Sequence, residues 1–127
     1  CAVLYKSHPY ADRKSLKLEE LKKENFVMLS SLKGKENDGI TLCKKAGFAP
    51  KVVMTVLSGS EAAKLVNDGL GISILLKKTI QAERLENVIL VDLEPRVDCE
   101  ISLCWRKDVV LSEGARQFVE FVRGLHP

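Results

Sequence analysis

Residues 66–75 read Val-Asn-Asp-Gly-Leu-Gly-Ile-Ser-Ile-Leu, the pattern of a helix that stops at a glycine and turns directly into a buried strand. Upstream, Ser58-Gly59-Ser60-Glu61 has the spacing of a capping box, so the sequence predicts a helix from Ser58 to Gly69. Gly69 and Gly71 resemble part of a dinucleotide-binding fingerprint. That fingerprint follows a strand and opens a helix, whereas these glycines precede a strand. The stretch therefore predicts a helix-to-strand connection and no nucleotide site.

Apolar runs and amphipathic segments alternate on both sides of this stretch. The predicted strands cover residues 1–5, 26–29, 52–56, 70–76, 88–91 and 100–105. The other predicted helices are a short one capped by Ser15, one over residues 38–46 that ends at Gly47, and a C-terminal one capped by Ser112. Strands that alternate with helices predict an α/β domain with a mixed, mostly parallel sheet.

The composition fits one compact domain. The chain has 127 residues, of which 46% are hydrophobic, and this is enough for a real core. The net charge is only +3, and the basic residues are interleaved with acidic ones, which indicates a solvated surface rather than a nucleic-acid-binding stripe. No apolar run approaches the roughly 20 residues that cross a bilayer, and no signal peptide is visible. These features favour a cytoplasmic protein, and a processed secreted chain is the alternative if the true start is missing.

Side chains for metal binding or catalysis do not cluster in the sequence. The four cysteines form no CxxC pair and lie far from both histidines, so the sequence predicts no metal site and no cofactor. Cys43, Cys99 and Cys104 lie in apolar patterns and are predicted to be reduced and buried. His8 precedes a proline and is predicted to face solvent or to cap a turn. No nucleophile elbow, zinc-protease motif or phosphate-binding glycine loop is present, so the chain is not expected to be an enzyme.

Two polar turns at strand ends can bind anions. The first amides of a helix are unpaired and carry partial positive charge, which attracts carboxylates and phosphates. One such place is Ser30-Ser31, and the other is Ser58-Gly59-Ser60. Ligands of open α/β sheets gather at the carboxyl ends of the strands, where both turns are predicted. Plain helix capping is the alternative role for Ser58.

The chain resembles the effector-binding domain of LysR-type transcriptional regulators. Six segments carry the resemblance, in order and at the family's spacing: His8-Pro9-Tyr10-Ala11, residues 16–29, Ala46-Gly47-Phe48-Ala49-Pro50, residues 66–75, residues 101–107 and residues 111–121. Two departures stand out. Leu76 occupies a position where the family usually has proline. The chain also starts late in the family's pattern, so the helix-turn-helix, the linker helix and most of the first half of subdomain I are expected to be missing.

The resemblance implies a fold like that of type II periplasmic binding proteins, in which two subdomains enclose a ligand. The family's division would make residues 1–10 a crossing strand and hinge, 11–91 the effector-binding subdomain II, and 92–127 the second crossing and the C-terminal part of subdomain I. It also implies a bacterial, cytoplasmic domain that binds a small effector, expected to be an organic acid, and passes a conformational change to a DNA-binding domain. DNA would be reached only through the missing helix-turn-helix, and the protein would form a homo-oligomer without contacting a membrane.

The resemblance also implies which residues contact the effector. Carried over by position, the contacts fall at Ser30, Ser31, Ser58, Gly59 and Ser60, with Ile72 and Ile74 in the wall. Two other proteins that share the fold are alternatives. A transport solute-binding protein would need a secretion signal upstream, and a two-lobed enzyme such as a dehydratase would need ionisable residues in the cleft.

Overall fold

The structure, a computed structural model, describes residues 1–31, 36–99 and 102–125. Its strands are β1 (Ala2–Tyr5), β2 (Ser15–Leu16), β3 (Asn25–Leu29), β4 (Lys51–Val56), β5 (Ser73–Ile74) and β6 (Val88–Leu93). Its helices are α1 (Asp38–Lys45), α2 (Gly59–Asn67), α3 (Lys77–Ile80) and α4 (Glu113–Leu125), together with a 3₁₀ helix over Leu18–Leu21. Strands and helices alternate along most of the chain, as an α/β domain requires.

The strands form a mixed sheet. Four of them are ordered β2-β6-β1-β5, and β3 and β4 form a parallel pair that joins this sheet through a parallel bridge between Phe26 and Ile72. β1 is antiparallel to both β5 and β6, whereas β2 runs parallel to β6. The order across all strands is therefore β4-β3-β5-β1-β6-β2. The predicted mixed, mostly parallel sheet is confirmed, and its antiparallel pairings are those of β1 with β5 and β6.

Helices cover both faces of the sheet. Successive residues of β3 alternate between the faces, so Phe26 packs in one apolar cluster with Cys43 of α1, and Val27 packs in a second cluster with Ala62 and Val66 of α2. These five side chains are fully buried. Burial raises the pKa of the Cys43 thiol to about 11. The prediction that Cys43 is a reduced, buried thiol is confirmed.

The ends of α1 and α2 follow the predicted signals. In α2 the Ser58 hydroxyl accepts a hydrogen bond from the Glu61 amide at 3.2 Å, and the Glu61 carboxylate accepts one from the Ser58 amide at 3.1 Å. Gly47 after α1 and Gly69 after α2 have φ values of 87° and 81°. Residues with a Cβ atom rarely adopt this left-handed backbone conformation, so glycine is suited to end both helices. The predicted capping box and both glycine helix ends are confirmed.

Three predicted elements differ in the structure. Ser15 does not cap a helix: it lies in β2, and its hydroxyl donates to the Glu94 carboxylate at 3.1 Å, while the 3₁₀ helix begins after Lys17. The strand predicted over residues 70–76 is restricted to β5, and α3 follows it. Of the strand predicted over residues 100–105, residues 100 and 101 lie outside the described part of the chain, and residues 102–105 form no strand. Each difference depends on distant pairing that the local pattern does not contain.

The predicted burial of two cysteines is wrong. Cys99 and Cys104 are exposed, because the segment they occupy packs against little of the described structure. His8, predicted to face solvent or to cap a turn, is buried between the rings of Tyr5 and Tyr10. Its Nδ1 accepts a hydrogen bond from the Tyr10 amide at 3.1 Å, so the alternative prediction that it caps a turn is confirmed.

The C-terminal helix has no buried side chain. Ser112 accepts a hydrogen bond from the Ala115 amide, as its predicted capping role requires, and an apolar stripe runs along the helix. Phe118 and Phe121 on this helix are nevertheless exposed. None of the described helices combines the length and apolar character that a membrane span requires.

Candidate functional site

The predicted site residues lie at one edge of the sheet. β3, β4 and β5 run in the same direction, so Ser30, Ser58 and Leu75 follow their carboxyl ends at a common edge. The Ser30 amide donates to the Val56 carbonyl at 2.7 Å, which places Ser30 beside the start of α2. A Cβ atom on Gly59 would lie 3.8 Å from Leu75 Cδ2, so the start of α2 also adjoins the end of β5.

The sheet opens at this edge between β3 and β5. Near Ile72 the two strands are joined by two backbone hydrogen bonds of 2.8 Å each, from the Val27 amide to the Ile72 carbonyl and from the Ile72 amide to the Asn25 carbonyl. A continuing parallel ladder would next pair the Ile74 amide with the Val27 carbonyl. The Ser73 hydroxyl instead donates to the Val27 carbonyl at 2.7 Å. The opening begins there, and Leu29 and Ile74 stand on its two sides.

The backbone of Ile74 faces this opening. Cys1 and Leu75 form a hydrogen-bonded pair, with the Cys1 nitrogen donating to the Leu75 carbonyl at 2.9 Å and the Leu75 amide donating back at 3.0 Å. Because the backbone groups of successive strand residues point to opposite sides, those of Ile74 point away from β1 and toward β3. Its side chain is half-buried. Ile74 therefore presents a donor and an acceptor to the opening.

The first turn of α2 supplies further donors. The Ser58 hydroxyl is bound to the Glu61 amide, and the Glu61 carboxylate accepts from the Leu57 and Ser58 amides at 3.1 Å each. The amides of Gly59 and Ser60 have no hydrogen-bond partner within residues 1–31, 36–99 and 102–125. Donors for a ligand at this helix are therefore these two amides and the Ser60 hydroxyl, while the Ser58 side chain is committed to capping.

The seven predicted site residues differ in position. Ser30 and Ser31 are exposed at the end of β3, Gly59 and Ser60 are half-buried at the start of α2, and Ile74 lines the opening. Ile72 has a fully buried side chain in the core, and both of its backbone groups are paired with β3, so neither is free for a ligand.

Asn37 was not predicted as a site residue. Its side chain caps α1, accepting from the Gly39 amide at 2.8 Å and the Ile40 amide at 3.2 Å, and it donates to the Leu29 carbonyl at 2.5 Å. An asparagine directly before a helix is a recognised capping signal, which could have identified the helical part of its role. Its bond to β3 joins residues eight positions apart through the fold and has no such local signal.

An ion pair lies at the same edge beyond β5. Lys77 of α3 and Asp92 of β6 have their nitrogen and oxygen atoms 2.7 Å apart. The Lys77 ammonium holds the pKa of the Asp92 carboxyl below its usual range. Both side chains are exposed, so the pair contributes little to stability. Among the described residues, no group of histidine, cysteine and acidic side chains could hold a metal ion.

A depression of about 430 Å³ lies at the other end of β1. It is lined by Tyr5, Lys6, Ser7, Asn67, Asp68, Gly69 and Asn87. Two of its amides are engaged, since the Asn87 amide donates to the Asn67 side chain and the Lys6 amide donates to the Asn87 carbonyl. We favour the edge with Ser60 and Ile74 because the predicted site residues lie there and the Gly59 and Ser60 amides have no partner among the described residues.

The Ser73 hydroxyl is expected to stabilise the domain at the place where β3 and β5 part. Replacing Ser73 with alanine removes the only side-chain partner that the described residues provide for the buried Val27 carbonyl. An unsatisfied buried acceptor costs about 1–3 kcal/mol, so the free energy of unfolding should fall by that amount. Urea denaturation measures it, and Ser7→Ala, at an exposed turn, is the matched control that should change it by less than about 0.5 kcal/mol. Equal stability of the two variants would contradict this role of Ser73.

Comparison with known proteins identifies the family. The sequence matches the LysR substrate binding domain over residues 1–126, and the chain belongs to this family. YwbI of Bacillus subtilis (strain 168), an uncharacterized HTH-type transcriptional regulator, is 31% identical over 122 residues, which are 95% of this chain and 40% of that protein. The chain thus spans about 40% of the length of the curated relatives it matches.

Solved structures confirm the fold. The effector binding domain of QuiR in complex with shikimate has a TM-score of 0.77 at 25% identity, over 94% of this chain and 57% of that chain. The BenM effector binding domain with its effector benzoate has a TM-score of 0.62 at 26% identity, over 73% of this chain and 43% of that chain. LysR effector-binding domains have a periplasmic-binding-protein type II-like fold, as predicted. The family and its relatives are transcriptional regulators, which favours this class over a transport protein or an enzyme.

Proposed function

We propose that this domain binds a small organic acid at the opening between β3 and β5 and performs no chemistry on it. The observation that carries the proposal is the pair of free amides at Gly59 and Ser60 beside the place where these strands part. Amides at a helix N-terminus favour a negatively charged group. Ser30, Ser31 and the backbone of Ile74 would provide hydrogen bonds to the rest of the molecule.

The proposed ligand class also fits the relatives. QuiR was solved with shikimate and BenM with benzoate, and both molecules are organic acids. The groups at the opening here are amides, hydroxyls and apolar side chains. They can hold and orient an anion, and among the described residues around the opening they include no paired nucleophile and base. Binding without catalysis is therefore the activity proposed for this site.

The effector would act by shifting a conformational equilibrium. The proposed division makes residues 1–10 a crossing strand and hinge, 11–91 subdomain II, and 92–127 the second crossing with the C-terminal part of subdomain I. The ligand would lie between residues 11–91 and the facing subdomain. A ligand that binds one relative orientation better than another changes their populations. In the full-length protein, expected to be a cytoplasmic homo-oligomer, this change would reach a helix-turn-helix domain that contacts DNA.

Substitution of Ser60 tests the charge of the effector. Ser60→Glu places a second carboxylate at the start of α2, where a negative charge suits the helix but repels an anionic ligand. We expect affinity for the bound acid to fall at least about tenfold, which corresponds to about 1.4 kcal/mol. Isothermal titration calorimetry of the full-length protein with shikimate, benzoate and further organic acids gives this number. Ser60→Gln is the control, because it has nearly the same shape without the charge.

The acid affinities of Ser60→Glu and Ser60→Gln together test the proposal. Loss of affinity in Ser60→Glu with affinity retained in Ser60→Gln supports an anionic ligand beside α2. The same affinity in both variants and the unchanged protein would place the ligand elsewhere. Failure of the unchanged protein to bind any organic acid would refute the proposed ligand class.

A further inference from the structure

We propose that Asn37 is a positioning residue for the effector site, fixing the end of β3 at the edge of the opening. Its side chain joins three backbone groups at once: the Leu29 carbonyl in β3 and the Gly39 and Ile40 amides in α1. The inference rests on the proposed function, because it assigns Asn37 to the same site. It adds a residue that touches no ligand and acts through Ser30 and Ser31.

The Leu29 carbonyl faces the side of β3 from which β5 has parted. Val27 donates its amide to Ile72 of β5, and backbone groups two residues apart in a strand point to the same side. The Leu29 carbonyl therefore points toward the opening, where β5 no longer reaches it. The Asn37 amide group occupies this place and satisfies the carbonyl.

Two side chains thus bind the β3 carbonyls that face β5. Ser73 binds the Val27 carbonyl, and Asn37 binds the Leu29 carbonyl. With both acceptors engaged, further backbone pairing between the two strands would have to share or displace one of these bonds. Specific hydrogen bonds therefore stabilise the separation of the strands beyond Ile72.

Close packing of α1 on β3 makes the contact possible. A Cβ atom on Gly39 would lie 3.0 Å from Met28 Sδ and 3.0 Å from Asn37 Oδ1, so the first turn of α1 lies directly against β3. The connection between β3 and α1 starts at Ser30 and returns at Asn37. One side chain holds both ends of this connection, and Ser30 and Ser31 are its first residues.

Two variants of Asn37 separate this role from helix capping. Aspartate at position 37 keeps an acceptor for the Gly39 and Ile40 amides, and it has no N–H to donate to the Leu29 carbonyl. Alanine removes both interactions. Asn37→Asp should therefore lose the hydrogen bond to β3 and keep the cap of α1. Asn37→Ala should lose both interactions.

Amide hydrogen exchange in the full-length protein measures both effects without a ligand. In Asn37→Asp we expect the Ser30 amide to exchange about tenfold faster while the α1 amides keep their rates, and in Asn37→Ala both sets should exchange faster. Calorimetry with shikimate and benzoate is the second measurement. For an acid that the unchanged protein binds, Asn37→Asp should lower affinity about tenfold.

Each result has a definite consequence. An unchanged exchange rate of the Ser30 amide in Asn37→Asp overturns the inference. A loss of α1 protection equal to that in Asn37→Ala also overturns it, because the effect would then come from helix capping alone. Faster exchange at Ser30 with undiminished acid affinity also overturns it. If the unchanged protein binds none of the acids, the proposed function fails, and the exchange rates alone decide whether Asn37 fixes the end of β3.

Discussion

Replacement of Gly71 by alanine is expected to lower the free energy of unfolding by about 3 kcal/mol or more, a large fraction of the roughly 5–15 kcal/mol that stabilises a typical domain. A Cβ atom at this position would lie 2.4 Å from the Asn25 carbonyl oxygen and 3.1 Å from its carbon. Both are backbone atoms of β3, so no side-chain rotation can relieve the overlap. The same carbonyl accepts the Ile72 amide, and moving the strands apart would break the junction between β3 and β5.

Urea or thermal denaturation followed by circular dichroism measures this effect. Gly114→Ala in α4 is the matched control, because a Cβ atom there meets nothing within 4 Å and alanine favours a helix. We expect the control to keep or slightly increase stability. A loss of less than about 1 kcal/mol in Gly71→Ala would show that the strands can separate there at little cost.

Replacement of Phe26 by alanine is the second large effect, with an expected loss of about 3–5 kcal/mol. The Phe26 side chain is fully buried in the cluster between the sheet and α1, and its ring centroid lies 6.2 Å from that of Phe48. Truncation removes a large apolar surface and leaves a cavity that a packed sheet cannot collapse to fill.

The control for Phe26 is Phe121→Ala. Phe121 has the same side chain, but it is 63% exposed on α4, so its loss should change the free energy of unfolding by less than about 0.5 kcal/mol. The same denaturation measurement serves both variants. A similar loss in both would contradict the described packing of Phe26. The effects of Gly71→Ala and Phe26→Ala should not add, because Phe26 pairs with Ile72 beside Gly71.

Elements with strong local signals could be predicted from the sequence. The helix α2 is an example: Ser58 and Glu61 cap its start, and Gly69 ends it with a left-handed backbone. All of its signals lie within twelve residues, and the structure adds only what the helix packs against. The uninterrupted apolar run from Phe26 to Leu29 in β3 likewise predicts a central strand with two buried faces.

Elements that depend on a distant partner could not be predicted. Ser15 has a composition that suits a helix cap, but pairing of its segment with β6 makes it part of a strand. The strand β5 is limited to the two residues that pair with β1, and the apolar run over residues 70–76 does not encode this pairing. The exposure of Cys99 and Cys104 follows from the absence of packing around them rather than from their own pattern.

The candidate site was predicted in part for the same reason. Sequence reasoning placed the turn at Ser58 to Ser60 at a strand end, and the capping box explains why Ser58 itself is occupied. Ile72 and Ile74 are the same residue type and pack in the same apolar cluster, but Ile72 is fully buried whereas Ile74 is half-buried at the opening. The role of Asn37 depends on the carbonyl that this opening exposes, so it became visible only in three dimensions.

The antiparallel pairing of β1 with β6 has a mechanical consequence. Ala2 lies opposite Val91, so the start of β1 and the end of β6 are side by side, at the edge where β3 and β5 part. A subdomain connected at these two points would lie next to the opening. Its rotation would act on β1 and β6 together. We expect rotation about these two neighbouring connections, rather than their separation, to be the motion that this end of the sheet transmits.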